Sequence, residues 1–151
     1  MAREIERKFL VLDDSYKDEA SHSSDVIQGY LCTDVNSTVR VRMIDNKAFI
    51  TIKGKNDSTG VMRFEWEKEV TPDDARELLK LCGGRIVEKT RYYVPVVGSS
   101  LVFEVDEFHG KNAGLTVAEI ELPSPDTIFP RPAWLGTEVT GDERYYNSKL
   151  V

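Results

Sequence analysis

Apolar and polar side chains alternate along most of this chain. Residues 3–11 set the habit: Glu4, Glu6 and Lys8 fall in one phase, Ile5, Arg7 and Phe9 in the other. A period of two is that of a strand, which sends successive side chains to opposite faces. The same period predicts strands over residues 3–11, 26–33, 37–44, 47–53, 61–70, 85–96, 100–107 and 115–122. Turn chemistry separates several of them: Asp45-Asn46 fits a two-residue hairpin loop, residues 54–60 form a polar loop bracketed by glycines, and residues 98–100 make another turn.

A period near 3.6 appears in fewer places. Thr71 suits a helix N-cap, Pro72 the first helical position, and Asp73 and Asp74 the positive end of the helix dipole. Ala75, Leu78, Leu79 and Cys82 then share one face, and Gly83-Gly84 ends the helix. A weaker helix is expected over about residues 14–20. Thr140 and Glu143 read as a capping box ahead of a short C-terminal helix, expected to cap or pack on the barrel. Many antiparallel strands with few helices predict a mainly β (α+β) fold, a sandwich or a barrel, in one domain over residues 1–151.

Charge on the polar faces decides between those two. Arg40 and Arg42 share a face opposite Val39, Val41 and Met43; Lys53 lies opposite Ile50 and Ile52. Arg63, Glu65, Glu67 and Glu69 lie opposite Phe64 and Trp66. Lys89 pairs with Arg91, Glu104 with Asp106, and Glu119 with Glu121. For any one strand, a polar face in water explains this. For the set it does not: the faces carry full charges in like-sign doublets, which an idle surface tends to avoid. A closed eight-stranded antiparallel β-barrel, apolar side outward under short helices and charged side inward, accounts for both features. Such a lumen needs counter-ions. Its carboxylates suit a hard divalent cation, Mg²⁺ or Mn²⁺, and its Arg and Lys residues suit phosphate oxygens. A triphosphate bridged by metal meets both needs.

Composition narrows the classes. The 151 residues hold 26 acids and 20 bases, a formal net charge of −6. That disfavours nucleic acid and anionic membranes as partners. Cys32 and Cys82 form no Cys-x-x-Cys motif, and no apolar run is long enough for a leader or a membrane span, so a cytoplasmic home is expected.

These residues resemble the CYTH superfamily, the triphosphate tunnel metalloenzymes. Glu4-Ile5-Glu6-Arg7-Lys8 matches its ExExK signature. The likeness continues through Gln28-Gly29-Tyr30-Leu31, Arg40-x-Arg42, Lys53, Glu65/Glu67, Lys89-x-Arg91, Glu104-x-Asp106, Glu119-x-Glu121 and the tail from Glu138 to Asn147. The resemblance implies an eight-stranded antiparallel tunnel using Mg²⁺ or Mn²⁺, and a small bacterial inorganic triphosphatase as the nearest type. It places Glu4, Glu6, Glu119 and Glu121 around metal, with Glu104 and Asp106 close by. Lys8, Arg40, Arg42, Lys53, Lys89 and Arg91 would grip phosphates, and Glu65 and Glu67 would serve as ligands or as supports for the bases. Lys8 and Tyr30 would position or deprotonate the attacking water, a role that a lysine pKa lowered by neighbouring cations would suit.

Hydrolysis of inorganic triphosphate to pyrophosphate and phosphate is therefore expected. Cleavage of nucleoside or thiamine triphosphates, a class IV-type adenylyl cyclase and a non-catalytic polyphosphate- or nucleotide-binding module are the alternatives. Cyclases of this superfamily carry residues before ExExK, including a His-Phe pair, whereas Glu4 follows only three residues here. No feature for reading a base stands out, and inward acids would weaken a pure anion binder. The partner is a small-molecule triphosphate, and the state is monomer or homodimer. His22 and His109 are expected at the surface, Arg63 in solvent, Trp134 as a packing anchor, and Arg144 outside the chemistry.

Overall fold

The computed structural model describes residues 3–151. Its strands are β1 (Arg3–Val11), β2 (His22–Cys32), β3 (Ser37–Ile44), β4 (Lys47–Gly54), β5 (Met62–Val70), β6 (Ile86–Pro95), β7 (Val102–Phe108), β8 (Thr116–Glu121) and β9 (Leu135–Glu138). The helices are α1 (Tyr16–Glu19) and α2 (Pro72–Leu81). Strand order is β5-β4-β3-β2-β6-β7-β8-β1-β9, and β1 also pairs with β5, so β1 to β8 close into an antiparallel barrel. Closure depends on how β1 divides its length. Arg3 to Ile5 pair with β5, Glu6 to Leu10 with β8, and Phe9 and Val11 with β9.

The apolar phase faces out and is covered in two places. Over β1, β7 and β8, the rings of Phe9, Phe103, Phe129 and Trp134 meet edge to face with centroids 5.2–6.0 Å apart. Each such buried ring is worth roughly 1.5–3 kcal/mol from burial alone. Tyr16 of α1 joins them, and the Trp134 indole N–H donates to Glu19 at 3.1 Å. Trp134 is thus the anchor its sequence context suggests. Over β2, β3 and β4 lies α2, capped by Thr71, whose side chain accepts from the Asp74 amide. Ala75, Leu78 and Leu79 pack on Val41, Ala48 and Met43. Gly29 lets the helix come this close: a Cβ there would lie 2.7 Å from Cys82 Sγ and 2.9 Å from Leu79 Cδ2.

Three expectations need correction. β2 begins at His22, four residues early, because its polar start pairs with Thr90–Tyr93 of β6. β9 escapes the alternation test. The C-terminal helix is replaced by two 3₁₀ turns, residues 143–145 and 147–149. Thr140 caps no helix: its Oγ1 accepts from the Lys8 amide at 2.9 Å and donates to Glu138 at 2.6 Å, while Asp142 caps the first turn.

The C-terminal segment is sewn to the barrel. Val139 N donates to Lys8 O at 2.8 Å. Gly60 and Gly141 then cross, both at φ +78°, so closely that a Cβ on Gly60 would lie 2.6 Å from Gly141 Cα. Beyond the crossing, Tyr145, Leu150 and Val151 pack on Val87, Phe108 and Val117. Those three share the inward phase of Lys89, Asp106 and Glu119, so the segment fills one end of the lumen. No helix among the described residues is long and apolar enough to cross a membrane.

Candidate active site

Inside the barrel lies a tight cavity of ≈ 40 Å³. Lys8, Arg40, Lys53, Lys89 and Arg91 line it, five of the six expected phosphate-gripping bases, together with Glu6, Glu119 and Tyr30. Strand order explains the grouping. Going round the barrel, β8, β1 and β5 carry most of the acids, while β4, β3 and β6 carry most of the bases. The lining also includes Arg63, so six bases and two acids face the cavity, while Glu4 and Asp106 beside it pair with four of those bases. The chain as a whole is at −6. Arg42 does not reach this cavity; it borders a neighbouring opening with Arg91, Tyr93 and Glu104.

The bases are not equally committed. Arg91 is held by Asp106 through two bonds of 2.8 and 3.0 Å and by Glu104 at 3.2 Å. Lys89 meets Asp106 and Asn147, each at 2.7 Å. Burial resists ionisation of Asp106, but Arg91 and Lys89 hold its carboxyl below the usual range. Lys53 binds both oxygens of Glu4 at 2.9 and 3.1 Å and Arg63 binds one at 3.0 Å. Burial would raise the Glu4 carboxyl, yet Lys53 and Arg63 bring it down to about 2. By contrast, Arg40 and Arg42 each keep a buried Nε–H with no acceptor among the described residues. Their nearest carboxylate, Glu67, lies at 3.6 and 3.5 Å. Burial and the neighbouring Arg40 and Arg91 charges pull Arg42 down to about 10. Two arginines with unspent donors suit an anionic ligand.

Lys8 departs from the lowered pKa its sequence context suggests. Burial pushes it down, but the Glu119 and Glu6 carboxylates outweigh burial, and it lies above the ordinary lysine value. Its nearest charge is Glu119 at 3.5 Å, and its Nζ donates to Tyr145 O at 3.1 Å. Tyr30, 3% exposed, is raised by burial against the pull of Arg40 and Lys8. Lys8 therefore stays a cation and Tyr30 a neutral phenol near pH 7.

The acids divide by partner. Asp106 and Glu4 are bound to bases, and Glu65 and Glu67 support Lys53, Thr51, Arg40 and Arg42. Burial and the adjacent Glu4 push Glu65 up to about 7. Glu6 differs: it makes no ion pair or hydrogen bond among the described side chains. Burial, then Glu119 and Glu4, push it up to about 8. In register, Glu6 lies opposite Glu121, and Glu119 lies opposite both Lys8 and Glu104. No three of these carboxylates converge into a cage among the described residues. Mg²⁺ characteristically takes one or two carboxylates, several waters and substrate phosphates, so no such cage is required. The chemistry of the Glu6, Glu119 and Glu121 set fits a hard divalent ion.

A stability prediction follows from Glu6. Its folded pKa lies above the ordinary 4.5, so its contribution is fully present below that pH and is lost as pH rises through about 8. Glu6→Gln should therefore stabilise metal-free protein at pH 8 by about 1–2 kcal/mol, discounting for partial solvent contact, with no gain at pH 4. Urea melts at the two pH values in chelator check this, and an equal gain at both would refute it.

Several lining residues lie outside the sequence-derived set. Arg63 was expected in solvent, but β5 pairs with β1 there, opposite Glu4, which draws it inside. Thr38 and Thr51 are small inward residues beside the arginines. Tyr146, Asn147 and Ser148 arrive with the C-terminal segment, whose Asn147 also meets Gln28. The inward phase could have flagged Thr51, and Asn147 ends the tail that carries the family resemblance, though no periodicity aims it into the lumen. His22 and His109 are exposed, as expected, and Arg144 is spent on Asp142 at the surface.

A closed eight-stranded barrel with a base-lined lumen and a facing row of carboxylates defines a tunnel protein built for a small polyanion. Residues 2–146 match the model of the CYTH domain, and the chain belongs to that family. A protein of Acetivibrio thermocellus named inorganic triphosphatase is 46% identical over all of this chain and 94% of its own length. Another so named, from Nitrosomonas europaea, is 38% identical over 98% of this chain and 96% of its own. The solved structure of an inorganic triphosphatase superposes with a TM-score of 0.69 at 36% identity, covering 99% of this chain and 95% of that one.

Proposed function

We propose that this chain hydrolyses inorganic triphosphate to pyrophosphate and phosphate within the barrel, with Mg²⁺ or Mn²⁺ as cofactor. The observation that carries the reading is the pair of buried guanidinium Nε–H donors, on Arg40 and Arg42, that have no acceptor among the described residues in a lumen lined by bases. The names of the relatives above support the same substrate. Lys8, Arg40, Lys53, Lys89 and Arg91 bind the phosphate oxygens from the cavity, and Arg42 from the opening beside it. Phosphoryl transfer asks mainly for position and neutralised charge, and these residues supply both. A water oxygen adds to a terminal phosphorus and its proton passes to solvent, while the P–O bond to the bridging oxygen breaks and pyrophosphate leaves with that bond's electron pair.

Glu6, Glu119 and Glu121 would hold the metal, with Glu4 and Glu104 alongside; when bound it supplies further charge neutralisation to the phosphates. Asp106 fixes Lys89 and Arg91 in place. Tyr145 O and Asn147 Oδ1 occupy Lys8 and Lys89 in the present arrangement. A substrate oxygen replaces Tyr145 O at Lys8, which requires residues 145–146 to shift, since ≈ 40 Å³ holds little more than water; Asn147 stays bonded to Lys89 and Gln28, and Lys89 turns its third N–H to the substrate.

The test is product identification. Purified protein is given triphosphate, ATP or thiamine triphosphate with Mg²⁺ or Mn²⁺. Pyrophosphate and phosphate from triphosphate are expected, with turnover abolished by a chelator. Cyclic AMP from ATP, or no cleavage of triphosphate, overturns the proposal.

A further inference from the structure

Lys89 fixes the direction of a hydrogen-bond chain that ends on Tyr30. An ammonium can only donate. Its Nζ lies 2.7 Å from Asn147 Oδ1, so that oxygen faces Lys89 and accepts. Gln28 Nε2 lies 3.1 Å from the same oxygen and must donate as well. That nitrogen is also 2.9 Å from the Tyr30 hydroxyl. An amide nitrogen carries two hydrogens and accepts nothing, so the Tyr30 oxygen is the acceptor. Flipping the Gln28 amide would set its carbonyl oxygen against Asn147 Oδ1. The orientation holds even though Gln28 Oε1 is buried without a partner among the described residues. Tyr30's own hydrogen is not consumed by Gln28, and Tyr30 lines the cavity while Gln28 does not.

We infer that Gln28 is a positioning residue that sets the polarity of Tyr30: by donating to the phenol oxygen, it leaves the phenol O–H aimed at a phosphoryl oxygen of the substrate. This rests on the proposed triphosphate reaction and on Tyr30 acting in it. Gln28 is 0% exposed, on β2 between Arg42 of β3 and Val87 of β6, so its amide has little freedom to turn. Burial also keeps the phenol protonated, as a donor must be. The role given to Tyr30 is that of a hydrogen-bond donor, with no part in removing a proton from water.

A double-mutant cycle tests the inference. Triphosphate turnover is measured for wild type, Tyr30→Phe, Gln28→Leu and the double variant. Tyr30→Phe should lower kcat about 10- to 100-fold, the value of one oriented bond to a charged oxygen. Gln28→Leu should fall in the same range with KM changed less than about twofold, and the double variant should be no slower than Tyr30→Phe. Gln28→Glu, which would accept the phenol hydrogen, should be at least as slow as Gln28→Leu. Losses that multiply in the double variant, or wild-type kcat in Gln28→Glu, overturn the inference and leave Tyr30's role standing. Wild-type kcat in Tyr30→Phe overturns both. Gln28→Met, closer in shape, carries the same cycle should Gln28→Leu not fold.

Discussion

Asp106→Ala is expected to cost about 3–5 kcal/mol of stability, the range found when one partner of a buried charge pair is removed. Asp106 is 1% exposed, and it is the only carboxylate bonded to both Lys89 and Arg91 among the described residues. Those cations are 2% and 6% exposed, so neither can turn to water. Removing the acid leaves two like charges side by side in the lumen. Urea denaturation at pH 7 measures the loss. A change below about 1 kcal/mol would show that water or Glu104 replaces Asp106 and that the network is not needed. Asp106→Asn keeps the shape and removes the charge, so it should fall nearly as far.

Lys8→Ala is expected to lower kcat/KM for triphosphate by about 10²–10³, as for loss of a preorganised donor facing charge that develops in the transition state. Steady-state assays with Mg²⁺ read this directly. The pH profile separates two roles for the same ammonium. Glu119 and Glu6 hold Lys8 protonated, so as a clamp it favours activity at lower pH and fails only as alkaline pH strips its proton. As a base it would do the reverse, with the rate climbing as Lys8 deprotonates. A rate that rises steeply above pH 9 in wild type and is flat in Lys8→Ala would sink the clamp. So would near-normal turnover in Lys8→Ala.

Much of this was legible in the sequence because a barrel turns phase into place. Once Arg40, Lys53, Lys89, Arg91, Glu6 and Glu119 share an inward phase on successive strands, closure alone gathers them. β1 and β3 fall on the residues the alternation marks, and α2 begins at Pro72 after its Thr71 cap, as read. The failures have a common cause, which is recruitment at long range. Thr140 looks like a helix cap until the Lys8 amide claims its hydroxyl. Arg63 looks solvated until β5 lies against Glu4. β9 is four residues, Leu135 to Glu138, with no alternation to detect; Gly136 marks only its close approach to β1, where a Cβ would lie 2.9 Å from Leu10 O. The sequence places Lys8 among cations, and so does folding, but closure also brings Glu119 and Glu6 beside it, and their charges outweigh burial and Arg63.

The divided pairing of β1 also bears on how the chain folds. Lys8 reaches Thr140 across 132 positions of sequence, and every partner of β1 comes from β5 or later. Synthesised from its N-terminus, the chain makes its first strand long before that strand's neighbours exist. The barrel cannot close until β8 is made and reaches β1, and closure of such high contact order is expected to be slow. Glu6, which pairs with β8, then keeps its hydration shell until that strand arrives, and its desolvation becomes a late event. A divalent ion present at that moment would favour closure, making the cofactor an assembly aid as well as a participant in turnover.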